Sequence, residues 1–131
     1  MPEHKHMIVR AEVTEPIIDV DSAKNWMIRL VEKIGMTITE HGGPHCDYVD
    51  KPGNQGITVM AMIETSHCAM HIWDKGDPPL VQLDVYSCAE FETWDIIEFI
   101  YEMGPSKIEF KLFDRAKHID EVTKPLKMRA K

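Results

Sequence analysis

The segment IETSHCAMHIW, residues 63–73, concentrates groups that can transfer protons or act as nucleophiles. It holds a glutamate, two hydroxyls, two imidazoles and a thiol between apolar residues that are typical of a buried strand. A serine close to a histidine, here Ser66 and His71, is the combination that activates a hydroxyl for attack on a carbonyl. The segment is therefore the first candidate for a reactive site.

Three interpretations of these residues remain open at this point. In the first, the segment is an ordinary strand with one wet face, and Cys68 and Met70 fill the core. In the second, Ser66 is a nucleophile, although no GxSxG elbow surrounds it. The third is a zinc site, and its candidate ligands are His41, His45, Cys46, His67, Cys68, His71 and Cys88. No pair of these ligands has the spacing of a known zinc module, so we predict no metal.

Composition narrows the class of protein. The chain has 131 residues, 44% of them hydrophobic and 28% charged, which predicts a single domain over residues 1–131. No apolar run approaches the ~18–20 residues that a membrane span requires. The net charge of −7 opposes binding to nucleic acid. Three cysteines without CxxC spacing and a start, MPEHKH, without an apolar signal region predict a cytoplasmic protein with free thiols.

The first half of the chain predicts a strand, a helix and a second strand. Residues 7–13 alternate as a half-buried strand does. An apolar stripe at helical spacing then follows Asp21 or Ser22 as the N-cap and stops at Gly35; it consists of Ala23, Trp26, Met27, Leu30, Val31 and Ile34. Residues 36–40 predict a short strand, and residues 41–56, rich in glycine and proline, predict a loop.

The second half predicts a meander of strands and a second helix. Residues 57–64, 67–73 and 80–87 predict three strands, the first two separated only by a very tight break at Thr65–Ser66. Helical spacing then returns up to Gly104, at Phe91, Trp94, Ile97, Ile100 and Tyr101. Residues 107–113 alternate as a strand. The order β-α-β-β-β-β-α-β predicts an α+β two-layer sandwich, a mostly antiparallel sheet covered on one face by two helices.

Two motifs in this order carry a resemblance to a known family. GITVMAMIETSHCAMHIW followed by VQLDVYSC is similar to the core of the small prokaryotic S-adenosylmethionine decarboxylase proenzymes, and HKHMIVRAEV looks like their opening strand. The resemblance extends to about Phe113. It is most specific in the serine-histidine segment and in the aspartate-to-cysteine segment, which occur in the family's order.

The resemblance implies that the chain makes its own cofactor. Ser66 matches the serine that breaks the bond before it, so Thr65–Ser66 would be the cleavage site and Ser66 would become a pyruvoyl group. Thr65 stands where the family has glutamate. His71 matches the histidine that assists ester breakdown, and Thr58 stands at a serine that also aids processing. Cys88 matches the family's proton donor.

The resemblance also implies a substrate and a biological role. The family decarboxylates S-adenosylmethionine for spermidine synthesis, and its small members form homodimers. Trp73 matches a tryptophan beside the nucleoside pocket, and Asp74 is the nearest carboxylate for the ribose. Two alternatives stay open: an uncleaved, inactive homologue that binds an adenosyl ligand or a partner subunit, and a pyruvoyl decarboxylase of ornithine or arginine.

Overall fold

The computed structural model describes residues 3–123, and the basic segment 124–131 lies outside them. The helices and strands are β1 (Lys5–Val13), α1 (Val20–Lys33), β2 (His45–Val49), β3 (Gly56–Ile63), β4 (Ser66–Trp73), β5 (Leu80–Ser87), α2 (Thr93–Ile100), β6 (Pro105–Asp114) and β7 (Asp120–Val122). A single 3-10 turn, Tyr101–Met103, follows α2. The described residues therefore contain two strands, β2 and β7, that the sequence pattern does not predict.

The strands form one sheet in the order β2-β3-β4-β5-β1-β6-β7. All six strand pairings among the described residues are antiparallel. Strands β2 to β5 follow one another as hairpins, and β1 inserts between β5 and β6. The first strand of the chain thus lies beside β5, next to the end of the meander that carries the reactive residues.

Alternate side chains of the strands pack under the two helices. In β1 the buried set is Met7, Val9, Ala11 and Val13. The predicted stripe of α1 is confirmed, because all six of its residues are buried in the same core. Trp26 of α1 donates its indole N–H to the carbonyl of Phe99 in α2 at 3.2 Å, which ties the helices together. The predicted α+β two-layer sandwich is confirmed, and within residues 3–123 no helix covers the opposite face of the sheet, called the open face below.

The ends of the helices differ in detail from the prediction. Helix α1 begins at Val20, and its N-cap is Asp19, whose carboxylate accepts the N–H of Ser22 at 2.8 Å. The prediction of Asp21 or Ser22 as N-cap was therefore wrong by two or three residues. Both lie inside the first turn, where an acidic residue is also stabilising. The predicted stop at Gly104 is confirmed, since Gly104 caps the 3-10 turn with φ 62°.

The predicted strand at residues 36–40 is wrong. Within that segment only Ile38 makes a bridge, to Ile63, and the chain turns at Glu40 and His41 before a ladder can form. The edge strand is instead β2, inside the segment predicted as loop. An edge strand is paired on one side and half exposed, so it tolerates the polar composition that resembles a loop.

The helices are short relative to a bilayer. Within residues 3–123, neither helix combines the length and the apolar character that crossing a membrane would require.

Replacing Leu30 tests the shared core. Leu30 is fully buried, so Leu30→Ala should lower the free energy of unfolding by ~2–5 kcal/mol through lost burial and the cavity left behind. Ile28 lies on the same helix but is 37% exposed, so Ile28→Ala should cost less than half as much. Urea unfolding at matched protein concentration measures both. Equal losses in the two variants would contradict the packing described here.

Candidate functional site

The hairpin between β3 and β4 contains a residue with strained backbone. Ile63 and Ser66 are paired across the strands, so only Glu64 and Thr65 form the turn. Ser66 has φ 145°, and among residues 3–123 it is the only residue other than glycine with a positive φ. Such a conformation costs a residue with a side chain ~1–3 kcal/mol, and it persists only where the surroundings impose it. The candidate nucleophile thus sits where the backbone stores strain.

The carbonyl group before Ser66 is held by a hydrogen bond. The backbone N–H of Cys88, just after β5, donates to the carbonyl oxygen of Thr65 at 2.8 Å. Strand pairing brings these residues together, because Ser66 lies directly opposite Ser87. A fixed N–H on this oxygen polarises the carbonyl and would stabilise negative charge on it. Ser66, Thr65 and Cys88 therefore form one group at this end of the sheet.

A series of side-chain hydrogen bonds connects Ser87, Thr65 and Met36 at the same turn. The hydroxyl of Ser87 is 3.0 Å from that of Thr65, which in turn lies 3.0 Å from the sulfur of Met36. The N–H of Ala89 donates to the Ser87 hydroxyl at 3.0 Å. Ser87 is fully buried. Sequence reasoning assigned no role to Ser87 or Met36, although Ser87 stands in the DVYSC motif directly before Cys88.

The second group lies further along β4. Thr58 and His71 face each other across β3 and β4, with the threonine hydroxyl 3.1 Å from the Nδ1 atom of His71. Both side chains are half-buried. The ring of Trp73 packs beside that of His71, with their centroids 5.9 Å apart. A hydroxyl hydrogen-bonded to an imidazole can relay a proton.

The two groups are distant from each other within one chain. Ser66 and His71 are five residues apart on the regular strand β4, which places their Cα atoms ~17 Å apart at about 3.3 Å per residue. His71 is also on the open face, because it alternates with the buried Met70 and Ile72. The structure thus brings Ser66 to Cys88 and Thr58 to His71, but it does not bring Ser66 to His71.

A cavity of about 250 Å³ opens beside the second group. Thr58, His71, Trp73 and Asn54 contribute to its lining. The indole N–H of Trp73 donates to the side-chain oxygen of Asn54 at 2.9 Å, which fixes the ring at the cavity wall. Asn54 was not singled out in the sequence, since it lies in the segment predicted as loop.

The carboxylate of Asp74, which directly follows β4, already accepts a hydrogen bond. The hydroxyl of Tyr48 lies 3.0 and 3.1 Å from its two carboxylate oxygens, and its side chain is only 5% exposed. This contact links β2 to the β4–β5 connection. Desolvation and then the Asp74 hydrogen bond raise the pKa of Tyr48, so the phenol remains the donor at neutral pH. In this arrangement a ribose would share the Asp74 carboxylate with the Tyr48 hydroxyl.

The other cysteines and histidines do not assemble into a metal site. Burial raises the pKa of Cys68 to about 12, so it remains a thiol in the core at neutral pH. In the part of the chain that the structure describes, no three histidine, cysteine or acidic side chains converge as metal ligands would.

Comparisons with known proteins agree with the fold and motifs. A sequence model of the S-adenosylmethionine decarboxylase family matches residues 5–116. The crystal structure of the adenosylmethionine decarboxylase from Aquifex aeolicus VF5 superposes with a TM-score of 0.64 at 16% identity, covering 98% of each chain. At that identity the structural match shows the fold alone. The family match covers most of the chain, which therefore belongs to the S-adenosylmethionine decarboxylase family of carboxy-lyases.

The contact between Tyr48 and Asp74 can be tested by removing one hydroxyl. Tyr48→Phe leaves a nearly buried carboxylate without its main donor, which should destabilise the fold by ~1–3 kcal/mol. Tyr101 is 53% exposed, so Tyr101→Phe should change stability by less than ~0.5 kcal/mol. Thermal melting of the two variants measures the difference. An unchanged melting temperature for Tyr48→Phe would indicate that water replaces the phenol.

Proposed function

We propose that this chain is a proenzyme that cleaves its own Thr65–Ser66 bond, converts Ser66 into a pyruvoyl group and then decarboxylates S-adenosylmethionine for spermidine synthesis. One observation carries the proposal. The residue with φ 145° is the serine itself, and the carbonyl before it already accepts an N–H at 2.8 Å. Strain in the reactant and a donor on the attacked carbonyl both favour cleavage at this bond.

The cleavage needs no outside reagent except water. The Ser66 hydroxyl adds to the Thr65 carbonyl carbon, the C–N bond breaks, and the proton moves to the Ser66 nitrogen, which leaves an ester. Loss of the Ser66 Cα proton then expels the Thr65 carboxylate, and an enamine remains. Hydrolysis of its imine form releases ammonia and leaves a ketone at the head of residues 66–131. The Cys88 N–H supports the first step, in which the Thr65 oxygen gains charge.

The residues around this turn fit such a group. Thr65 and Ser66 are half-buried, so the turn is accessible at the end of the sheet. A pyruvoyl ketone supplies an electrophile that accepts the substrate amine and draws electrons from the breaking bond. Cys88 is half-buried beside the same turn, and we assign to its thiol the return of a proton to the substrate carbon.

The cavity beside Thr58 and His71 is the candidate substrate pocket. Its wall includes the face of Trp73, which can stack on adenine or attract a sulfonium cation. At about 250 Å³ it is smaller than the ~300–1,000 Å³ that ligand sites usually provide. Asp74 is the candidate carboxylate for the ribose, which would share it with the Tyr48 hydroxyl or displace that hydroxyl. The pocket of one chain is therefore incomplete.

The distance between Ser66 and His71 within one chain supports the proposal of a homodimer. Proton transfer requires atoms within ~2.6–3.2 Å, and β4 holds these residues ~17 Å apart. A second copy related by two-fold symmetry can place its Thr58 and His71 beside Ser66 of the first. Met60 and Met62 lie on the open face between the Thr58–His71 pair and the β3–β4 turn, and they are 45% and 50% exposed, so they provide an apolar surface for that copy.

Intact-mass measurement tests self-cleavage directly. Purified protein should appear as residues 1–65 and 66–131, with the second fragment lighter by one ammonia than simple hydrolysis would leave it. Ser66→Ala should remain one chain, and cleaved protein should release carbon dioxide from S-adenosylmethionine. Cys88→Ala should keep cleavage, because its backbone N–H is unchanged, and should lower decarboxylation by ~10²-fold or more.

A stable full-length chain without decarboxylase activity would overturn the proposal. In that case binding of S-adenosylmethionine would identify the uncleaved homologue that the sequence leaves open. Cleavage accompanied by carbon dioxide release from ornithine or arginine alone would identify the other alternative.

Mixed dimers test whether His71 acts across the interface. Chains carrying Ser66→Ala and His71→Ala, with different affinity tags, are co-expressed and purified by both tags in sequence. If His71 assists cleavage at Ser66 of the other copy, the His71→Ala chain is cleaved, because its Ser66 lies beside the intact histidine of the Ser66→Ala chain. The Ser66→Ala chain stays whole.

The two parental homodimers provide the control, and neither should be cleaved appreciably. A mixed dimer in which both chains also remain whole would place His71 and Ser66 of the same chain in one site. That result would require β4 to rearrange before cleavage.

A further inference from the structure

Ser87 is a buried polar residue, and burying its hydroxyl costs free energy unless the hydroxyl is hydrogen-bonded. It ends β5 directly opposite Ser66, and its residue exposure is 0%. Burying a hydroxyl without hydrogen-bond partners destabilises the folded state, so its hydrogen bonds account for its presence there. Those bonds lead to the residue that precedes the strained serine.

The hydrogen bonds around Ser87 connect it to Ala89, Thr65 and Met36. The Ala89 N–H can only donate, and it donates to the Ser87 oxygen at 3.0 Å. The Met36 sulfur can only accept, and the Thr65 hydroxyl donates to it at 3.0 Å. The Ser87 hydroxyl lies 3.0 Å from the Thr65 oxygen and 3.5 Å from the same sulfur, so its shorter contact is the one to Thr65. With the Ala89 N–H on its oxygen, the Ser87 hydroxyl is held against Thr65 and Met36.

These hydrogen bonds hold both the side chain and the backbone carbonyl of Thr65. Ser87 fixes the Thr65 side chain, and the N–H of Cys88 fixes the Thr65 carbonyl. The bond from Ala89 to Ser87 also closes the short turn that contains Cys88, so it aims the same N–H. One buried hydroxyl thus controls both the position of the carbonyl and the direction of its donor.

We propose that Ser87 is a positioning residue for self-cleavage: its hydroxyl holds Thr65 so that the carbonyl attacked by Ser66 stays on the Cys88 N–H. This inference rests on the self-cleavage proposed above and concerns its first step, the formation of the ester. Displacing a reacting group by ~1 Å can cost ~10²-fold in rate. Loss of the hydroxyl therefore slows ester formation even though Ser87 touches none of the reacting atoms.

The experiment follows cleavage of newly made chains over time in a cell-free translation reaction. Ser87→Ala and Thr65→Val should each slow cleavage by ~10²-fold. The double variant should be no slower than the slower single variant, because both remove the same contact. Ser87→Thr keeps a hydroxyl and should restore the rate to within about tenfold of the wild type. Ser106→Ala, which removes an exposed serine hydroxyl on β6, should cleave at the wild-type rate.

Hydroxylamine identifies the step that is slowed, because it cuts esters and leaves amides intact. His71→Ala should accumulate an ester that hydroxylamine cuts. Ser87→Ala should give no such fragment, since the ester does not form. A purely structural role for Ser87 would lower the melting temperature without this difference between the variants.

Several outcomes would overturn the inference. Cleavage of folded Ser87→Ala at the wild-type rate, additive effects of the two single variants, or an ester that accumulates in Ser87→Ala would each overturn it while self-cleavage of the wild type stands. An uncut wild-type chain would instead overturn the proposed function and the inference with it. If Ser87→Ala does not fold, Thr65→Val provides the test. Cleavage of Thr65→Val at the wild-type rate would then overturn the inference.

Discussion

The hydrogen bond from the Cys88 N–H to the Thr65 carbonyl is the contact on which the candidate site depends. It joins the end of β5 to the hairpin before β4, and it acts on the carbonyl next to the one strained residue that is not glycine in the described chain. A two-residue turn alone does not require a serine at φ 145°. Pairing of Ser66 with Ser87, together with this bond, holds the backbone there, so the energy of the sheet maintains the strain.

The rest of the architecture makes that contact possible. The two helices cover one face of the sheet, and their buried stripe supplies the apolar core that keeps β3, β4 and β5 in register. Since the core occupies one face only, the other face is free to carry Thr58, His71 and exposed methionines. A sheet covered on both faces could not present the second group of residues to a partner.

The candidate site residues lie in two separate groups along the single strand β4. β4 begins with the candidate nucleophile and carries the candidate base five residues later. An extended strand cannot bend these residues together, whereas a two-fold axis through the open face can pair the beginning of one β4 with the middle of another. A short chain can in this way build, with two copies, a site that is too large for one.

Much of this protein could be predicted from local patterns. The stripe of α1, the alternating strands and the stop at Gly104 follow from periodicity and turn chemistry, which depend on neighbours in sequence. The tight break between β3 and β4 was also predicted, but at Thr65–Ser66, one residue after the turn at Glu64–Thr65 that the structure shows. The motif resemblance led to the family, which the match over residues 5–116 shows. The roles suggested for Ser66, His71 and Cys88 stay predictions.

Other features were decided by contacts between residues far apart in sequence. Only strand pairing made residues 45–49 the sheet edge instead of residues 36–40. Only the packed structure placed Tyr48 on Asp74 and the buried Ser87 on Thr65, 22 positions away. The sequence by itself determined both helices, the five strands β1 and β3 to β6, and where the reactive residues lie along them. The tertiary structure decided which of those residues meet, because register and long-range packing are properties of the whole sheet.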